Sequence, residues 1–137
     1  MISRRTMLSL PMATALGRVL QAQTALDGRM LLAMHQNTSA AAGFRGSLEG
    51  WARAGIRYVE INDGVLDGFL ATDTLPAARQ ILTDLGMTPV SGAAVLQDIW
   101  IPGPERQASL ETWRRRCDQF VALGLRKIYA PSITNRP

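Results

Sequence analysis

The side chains able to do chemistry in this chain sit in or just beyond short apolar runs. Glu60 lies inside Ile56-Arg57-Tyr58-Val59-Glu60-Ile61, where an ion is costly without a partner. It is either a rim carboxylate that positions a substrate or a base, or a structural carboxylate tied to backbone amides or an arginine. His35, the single imidazole, follows Met30-Leu31-Leu32-Ala33-Met34; it either contacts substrate or is a surface or packed histidine. Asn37, Asn62 and Asp63 can hydrogen-bond the hydroxyls of a polar ligand, and all three are also ordinary turn formers. Asp98 and Trp100 belong to the stretch from Gln97 to Pro104, where an indole either stacks on a flat ligand face or packs on the neighbouring helix. Side chains of this kind act on a polar substrate only if they converge, around a cation or beside the reacting carbon.

Other chemistries find no support. No Ser/His/Asp or Cys/His arrangement can be assigned, Gly43-Phe44-Arg45-Gly46 is too sparse for a phosphate loop, and no GxGxxG or Walker pattern occurs. The one cysteine, Cys117, rules out an intrachain disulfide and any zinc spacing. It falls among apolar helix positions, which predicts a buried thiol. The formal charge of +4 arises mainly at the start of the chain. Arg4, Arg5 and Arg18 meet no acid there, and from Asp27 onward 12 basic residues face 11 acidic ones. The run Arg114-Arg115-Arg116 lies in a helical pattern and reads as a solvated face, so no nucleic-acid partner is expected.

The elements that must position these residues alternate. The apolar run from Met30 to Met34 predicts a buried first strand with His35, Gln36, Asn37 and Thr38 at its polar mouth. Ser47 to Ala54 carries Leu48, Trp51 and Ala52 at helical spacing, with Ser47 available as a cap. Ile56 to Ile61 is a second strand, with Asn62-Asp63-Gly64 as its exit turn. Thr72 or Asp73 can cap the next helix, whose first turn holds Pro76 and whose apolar face is Leu75, Ala78, Ile81, Leu82 and Leu85. A third strand runs on to Val95 or Leu96. A long helix covers Glu105 to Leu123 with Trp113, like Trp51, in the core, and Lys127 to Pro131 forms a fourth strand. The helices end at Gly55, Gly86 and Gly124, each shortly before a strand. The series is α/β with about four parallel strands and three helices.

Residues 1–26 stand apart. Ser3-Arg4-Arg5-Thr6-Met7-Leu8 precedes an apolar stretch from Leu8 to Leu20 that Arg18 interrupts. A charged start and a short apolar segment describe an export signal, and the adjacent arginines resemble the twin-arginine pattern. The apolar stretch is shorter than the roughly 20 residues that span a bilayer, so no stable transmembrane span is expected. The expectation is a periplasmic or exported bacterial protein; the alternatives are an uncleaved amphipathic anchor or a cytoplasmic leader.

From Ala54-Gly55-Ile56-Arg57-Tyr58-Val59-Glu60-Ile61 onward the chain resembles the second unit of the xylose-isomerase-like TIM barrels, the sugar-phosphate isomerase/epimerase family. Leu85-Gly86-Met87 and Leu123-Gly124-Leu125-Arg126-Lys127-Ile128 resemble the next two units, so the likeness covers about residues 30–137. The resemblance implies a (β/α)8 barrel, of which residues 27–137 make the N-terminal part. It also implies a divalent metal in a full-length relative, held by acidic and histidine residues on strands five to eight. Those strands have no counterpart here, so no metal ligand or catalytic residue can be carried over. What carries over is the mouth: Glu60 matches the second-strand glutamate, while His35, Asn37, Ser91 and Ser132 fall on the same rim, with Asn62, Asp98 and Trp100 as further rim candidates.

The function expected on that basis is a fragment of a sugar (phosphate) isomerase/epimerase-like enzyme, inactive alone and binding no cofactor by itself. The alternatives are an exported non-catalytic sugar-binding or interaction module, or a catalytically dead remnant. A small-molecule sugar or polyol is the expected partner. Open sheet edges also predict self-association.

Overall fold

The computed structural model describes residues 31–133, and the unit that begins at Leu32 is an α/β layer built on a four-stranded parallel sheet. Strand β1 (Ala33–His35) is followed by a 3-10 segment (Gln36–Ala42) and helix α1 (Gly43–Arg53). Strand β2 (Tyr58–Asn62) leads directly into α2 (Asp63–Leu70), and α3 (Leu75–Asp84) precedes β3 (Thr88–Ala93). A short β4 (Leu96–Gln97), the long α4 (Pro104–Ala122), β5 (Ile128–Tyr129) and β6 (Ser132–Ile133) complete the described chain. The main sheet has the order β1-β2-β3-β5, every pair parallel, and β4 pairs with β6 in a separate parallel ribbon.

Alternation along β2 separates two faces. Val59 and Ile61 are fully buried, whereas Tyr58, Glu60 and Asn62 are half-buried. The buried face meets Phe44, Leu48 and Trp51 of α1, Leu66 of α2, Ala78, Ile81 and Leu82 of α3, and Phe120 of α4 in one apolar cluster. The helices therefore seal one side of the sheet, and the polar members of β2 lie on the other. Gly92 of β3 is the point of closest approach: a Cβ there would overlap the Phe120 ring, which is itself fully buried. The expected helix-ending glycines Gly55, Gly86 and Gly124 all adopt positive φ, the conformation that stops a helix at low cost in glycine.

Several local expectations are corrected. The first strand begins later than the apolar run suggests and is half-buried, with Leu32 73% exposed. His35 is consequently the last residue of β1, not the first beyond it. Helix α1 starts at Gly43, so Ser47 is internal and buried; its hydroxyl donates to the Phe44 carbonyl at 3.0 Å instead of capping. Asn62-Asp63-Gly64 is not a turn but the start of α2: Asn62 Oδ1 accepts from the Val65 N–H at 3.0 Å as the helix cap. Thr74, not Thr72 or Asp73, caps α3. There are thus four α-helices among the described residues where three were expected. Trp51 is buried as expected, but Trp113 is only partly so. Cys117 is also only partly buried. The run Arg114-Arg115-Arg116 divides as its helical spacing requires: the first two are exposed, while Arg116 turns inward and one of its guanidinium nitrogens, Nη2, donates to both carboxylate oxygens of Asp67 at 2.6 and 2.7 Å.

Candidate functional site

Sheet register assembles the most connected polar group. His35 on β1 lies opposite Glu60 on β2, and Glu60 lies opposite Ser91 on β3. A β-bulge produces the second alignment: Val59 pairs with Pro89 but Glu60 with Ser91, so β3 spends one extra residue, Val90, against β2. Without that extra residue Glu60 would face Val90. The row of three thus crosses three adjacent strands, from the last residue of β1 through the middle of β2 to the C-terminal half of β3; (β/α)8 barrels place their binding sites at the C-terminal ends of strands.

Both carboxylate oxygens of Glu60 are engaged. Oε1 lies 3.3 Å from His35 Nε2, and Oε2 accepts a short hydrogen bond from the Ser91 hydroxyl. The partners are an imidazole and a hydroxyl, neither the backbone amides nor the arginine considered for a structural role. The imidazole is held at its other nitrogen too, since Nδ1 accepts from the Asn37 N–H at 3.1 Å. The side chains of His35 and Glu60 remain 32% and 25% exposed, so solvent or a ligand reaches the pair.

Behind the row lies a buried polar relay that the sequence does not advertise. Gln36 is fully buried; its Oε1 accepts from the Asn62 N–H at 3.2 Å and its Nε2 donates to Ser47 Oγ at 3.3 Å. It ties the exit of β1 to the end of β2 and to α1, fixing the backbone on which His35, Glu60 and Asn62 stand. The only sequence signal was its place immediately after His35 at the strand mouth.

The remaining rim residues go elsewhere. Asn37 and Asn62 line a cavity of about 630 Å³ between the 3-10 segment, α1 and α2, together with Arg45 and Thr72. Asp63 and Asp98 line another, of about 350 Å³, against Ser109, Trp113 and Arg116 of α4. Asp63 Oδ2 there accepts from the Val95 N–H at 3.1 Å, and Asp98 carries a positive φ of 50°. Trp100 is 62% exposed and lines neither cavity, which overturns its packing against a helix. Ser132 is exposed on β6 opposite Leu96, away from the sheet that holds Glu60.

A divalent metal does not fit these residues. Among the described residues no three His, Cys, Asp or Glu side chains come together as a metal site would require. His35 and Glu60 supply two donors, already turned toward each other, whereas a catalytic zinc ordinarily takes three protein ligands. No helix among the described residues is long and apolar enough to cross a membrane.

No family model and no curated protein sequence matches the chain. A solved structure does: that of the IOLI protein with a binding zinc atom. The two superpose with a TM-score of 0.64 at 16% identity, over 79% of this chain and 40% of that one. The likeness establishes the fold, a partial TIM-barrel-like α/β arrangement of four parallel strands backed by helices. The chain spans 40% of the length of that neighbour.

Proposed function

We propose that this chain is the front arc of a sugar (phosphate) isomerase/epimerase-like barrel, and that His35, Glu60 and Ser91 form the part of its rim that grips a sugar or polyol. The observation that carries this reading is the cross-strand row itself. Three polar side chains from three adjacent strands meet across the sheet, beginning at the C-terminal residue of β1, and the His35–Glu60 pair is partly open to solvent. The superposition on a zinc-containing barrel protein supports the fold context. The divalent metal of such an enzyme belongs, on this reading, to strands that complete the barrel, so the chain alone binds without turnover.

The test is a pair of titrations on the full chain. Two-dimensional NMR with D-xylose, D-fructose and their phosphates is expected to give saturable shifts around His35 and Ser91. Aldose–ketose interconversion with added Mn²⁺ is expected to stay at the buffer rate. Shifts absent at 50-fold excess of every probe, on the order of the range where millimolar binding registers, would remove the rim from consideration. Turnover by the chain alone would refute the assignment of the metal to other strands.

Two further parts of the proposal concern the whole chain. Export by the twin-arginine route rests on Ser3-Arg4-Arg5-Thr6-Met7-Leu8, which lies outside the described residues. Fusion of residues 1–26 to a folded reporter is expected to deliver it to the periplasm, and Arg4→Lys with Arg5→Lys to retain it inside. Self-association through the sheet edges is the second part.

A further inference from the structure

The hydrogen bonds around His35 bear on which of its nitrogens carries the proton. A backbone N–H only donates, so the Asn37 N–H at 3.1 Å requires the lone pair of Nδ1. The neutral imidazole then bears its proton on Nε2, which faces Glu60 Oε1 at 3.3 Å. Neither nitrogen is left for a metal or for taking a proton from a substrate. Glu60 is in a different position. An ionised carboxylate has about four acceptor sites, and the protein fills two of them, one on each oxygen, through His35 and Ser91. That leaves one acceptor site on each oxygen, on a side chain still 25% exposed. Two acceptors a carboxylate's width apart suit two hydroxyls on neighbouring carbons.

We propose that His35 is a positioning residue locked as the Nε2–H tautomer, holding Glu60 with Ser91 so that the Glu60 carboxylate receives a vicinal diol. The proposal rests on the reading of this row as the ligand rim. It adds the role of each residue and the class of ligand group. Asn37 completes the device: by donating to Nδ1 it fixes the tautomer and ties the 3-10 segment to the carboxylate.

The chain has a single histidine, so its imidazole nitrogens can be read without ambiguity by long-range ¹H–¹⁵N NMR on the full uniformly labelled protein. At neutral pH the expected pattern is a protonated Nε2 and an unprotonated Nδ1. The opposite tautomer, or an averaged pair of nitrogens, overturns the proposal while leaving the rim reading intact. Titration with cis-1,2-cyclohexanediol is expected to shift the Nε2 resonance saturably, with 1,4-cyclohexanediol at least tenfold weaker. Equal response to both diols overturns the vicinal assignment, again without touching the rim. No response to either diol or to the sugars, with the expected tautomer present, means the rim reading itself has failed and the ligand proposal with it. His35→Gln restores a donor in place of Nε2 and is expected to keep diol binding within about threefold, whereas His35→Ala loses at least tenfold. Equal losses in the two variants, with well-dispersed spectra for both, would assign His35 a merely structural role and overturn the proposal.

Discussion

Glu60 survives in an apolar strand because two neighbouring strands bring donors to it, one for each oxygen. Removing one donor therefore has a defined consequence. Ser91→Ala leaves Oε2 without its hydroxyl, and since the site is partly open water can replace it. A loss of about 1 kcal/mol is expected, toward the low end for an unsatisfied buried acceptor, read as a lower urea midpoint with an unchanged slope. Cys117 makes a second prediction at this scale. Burial raises its thiol above the ordinary range, and the neighbouring Asp118 carboxylate adds to the rise. The thiolate is the nucleophile, so iodoacetamide is expected to label the folded chain more slowly than the urea-unfolded chain at neutral pH, and the gap to narrow in alkali. The linkage has a definite sign. A thiol whose folded pKa exceeds its unfolded value contributes stability below the unfolded pKa, and that contribution is lost as pH rises through the folded pKa. Equal labelling rates in the two states would mean the thiol is not shielded by the fold.

Elements are positioned here by junctions more than by strand length, since the main-sheet strands run from two to six residues. The sharpest junction is Gly92 against Phe120. A methyl group on Gly92 would occupy the volume of the ring, so Gly92→Ala is expected to destabilise the fold by about 1–3 kcal/mol, the usual range for overpacking a core. Adding Phe120→Leu to that variant should recover part of the loss; if it adds a further full penalty, the steric account is wrong. The parallel α/β order was legible in the sequence because helix, glycine and strand recur at Gly55, Gly86 and Gly124. Helix α2 was not, because Asn62-Asp63-Gly64 has the composition of a turn and the same asparagine serves equally as a helix cap. The site was legible as residues but not as groupings. Glu60 was identifiable as a carboxylate within an apolar strand and His35 as an imidazole at a strand mouth, yet the bulge at Val90 that brings Ser91 opposite Glu60 is a register effect with no local signature. Gln36, a buried amide in a polar run, gave no sign that it would bind Ser47 and Asn62.

Across the whole molecule the unresolved demand is at the ends of the sheet. Among the described residues β1 and β5 each have a strand partner in the main sheet on one side only. An outer strand presents unpaired N–H and C=O groups, and natural edges are blunted by charge, proline or brevity. Brevity is present here, with three residues in β1 and two in β5. Charge is present beside β5, where Arg126 and Lys127 are exposed, but beside β1 the exposed residue is Leu32, at 73%, and on β5 itself Tyr129 is 61% exposed. Apolar side chains flank both edges, and the two edges run in the same direction, so β5 of one copy can meet β1 of another in the parallel sense the sheet already uses. Sedimentation velocity across a hundredfold range of protein concentration, two tenfold steps of about 1.4 kcal/mol each, is expected to show a weight-average mass that rises with concentration. Leu32→Lys with Tyr129→Lys places a charge at each edge without touching the buried cluster of Val59, Ile61 and Phe120, and should abolish that rise while leaving the urea midpoint within about 0.5 kcal/mol, the usual range for surface changes. A wild-type chain that stays monomeric throughout would show that short edges alone suffice to prevent pairing. A double variant that still associates would place the contact on some face other than these two strands.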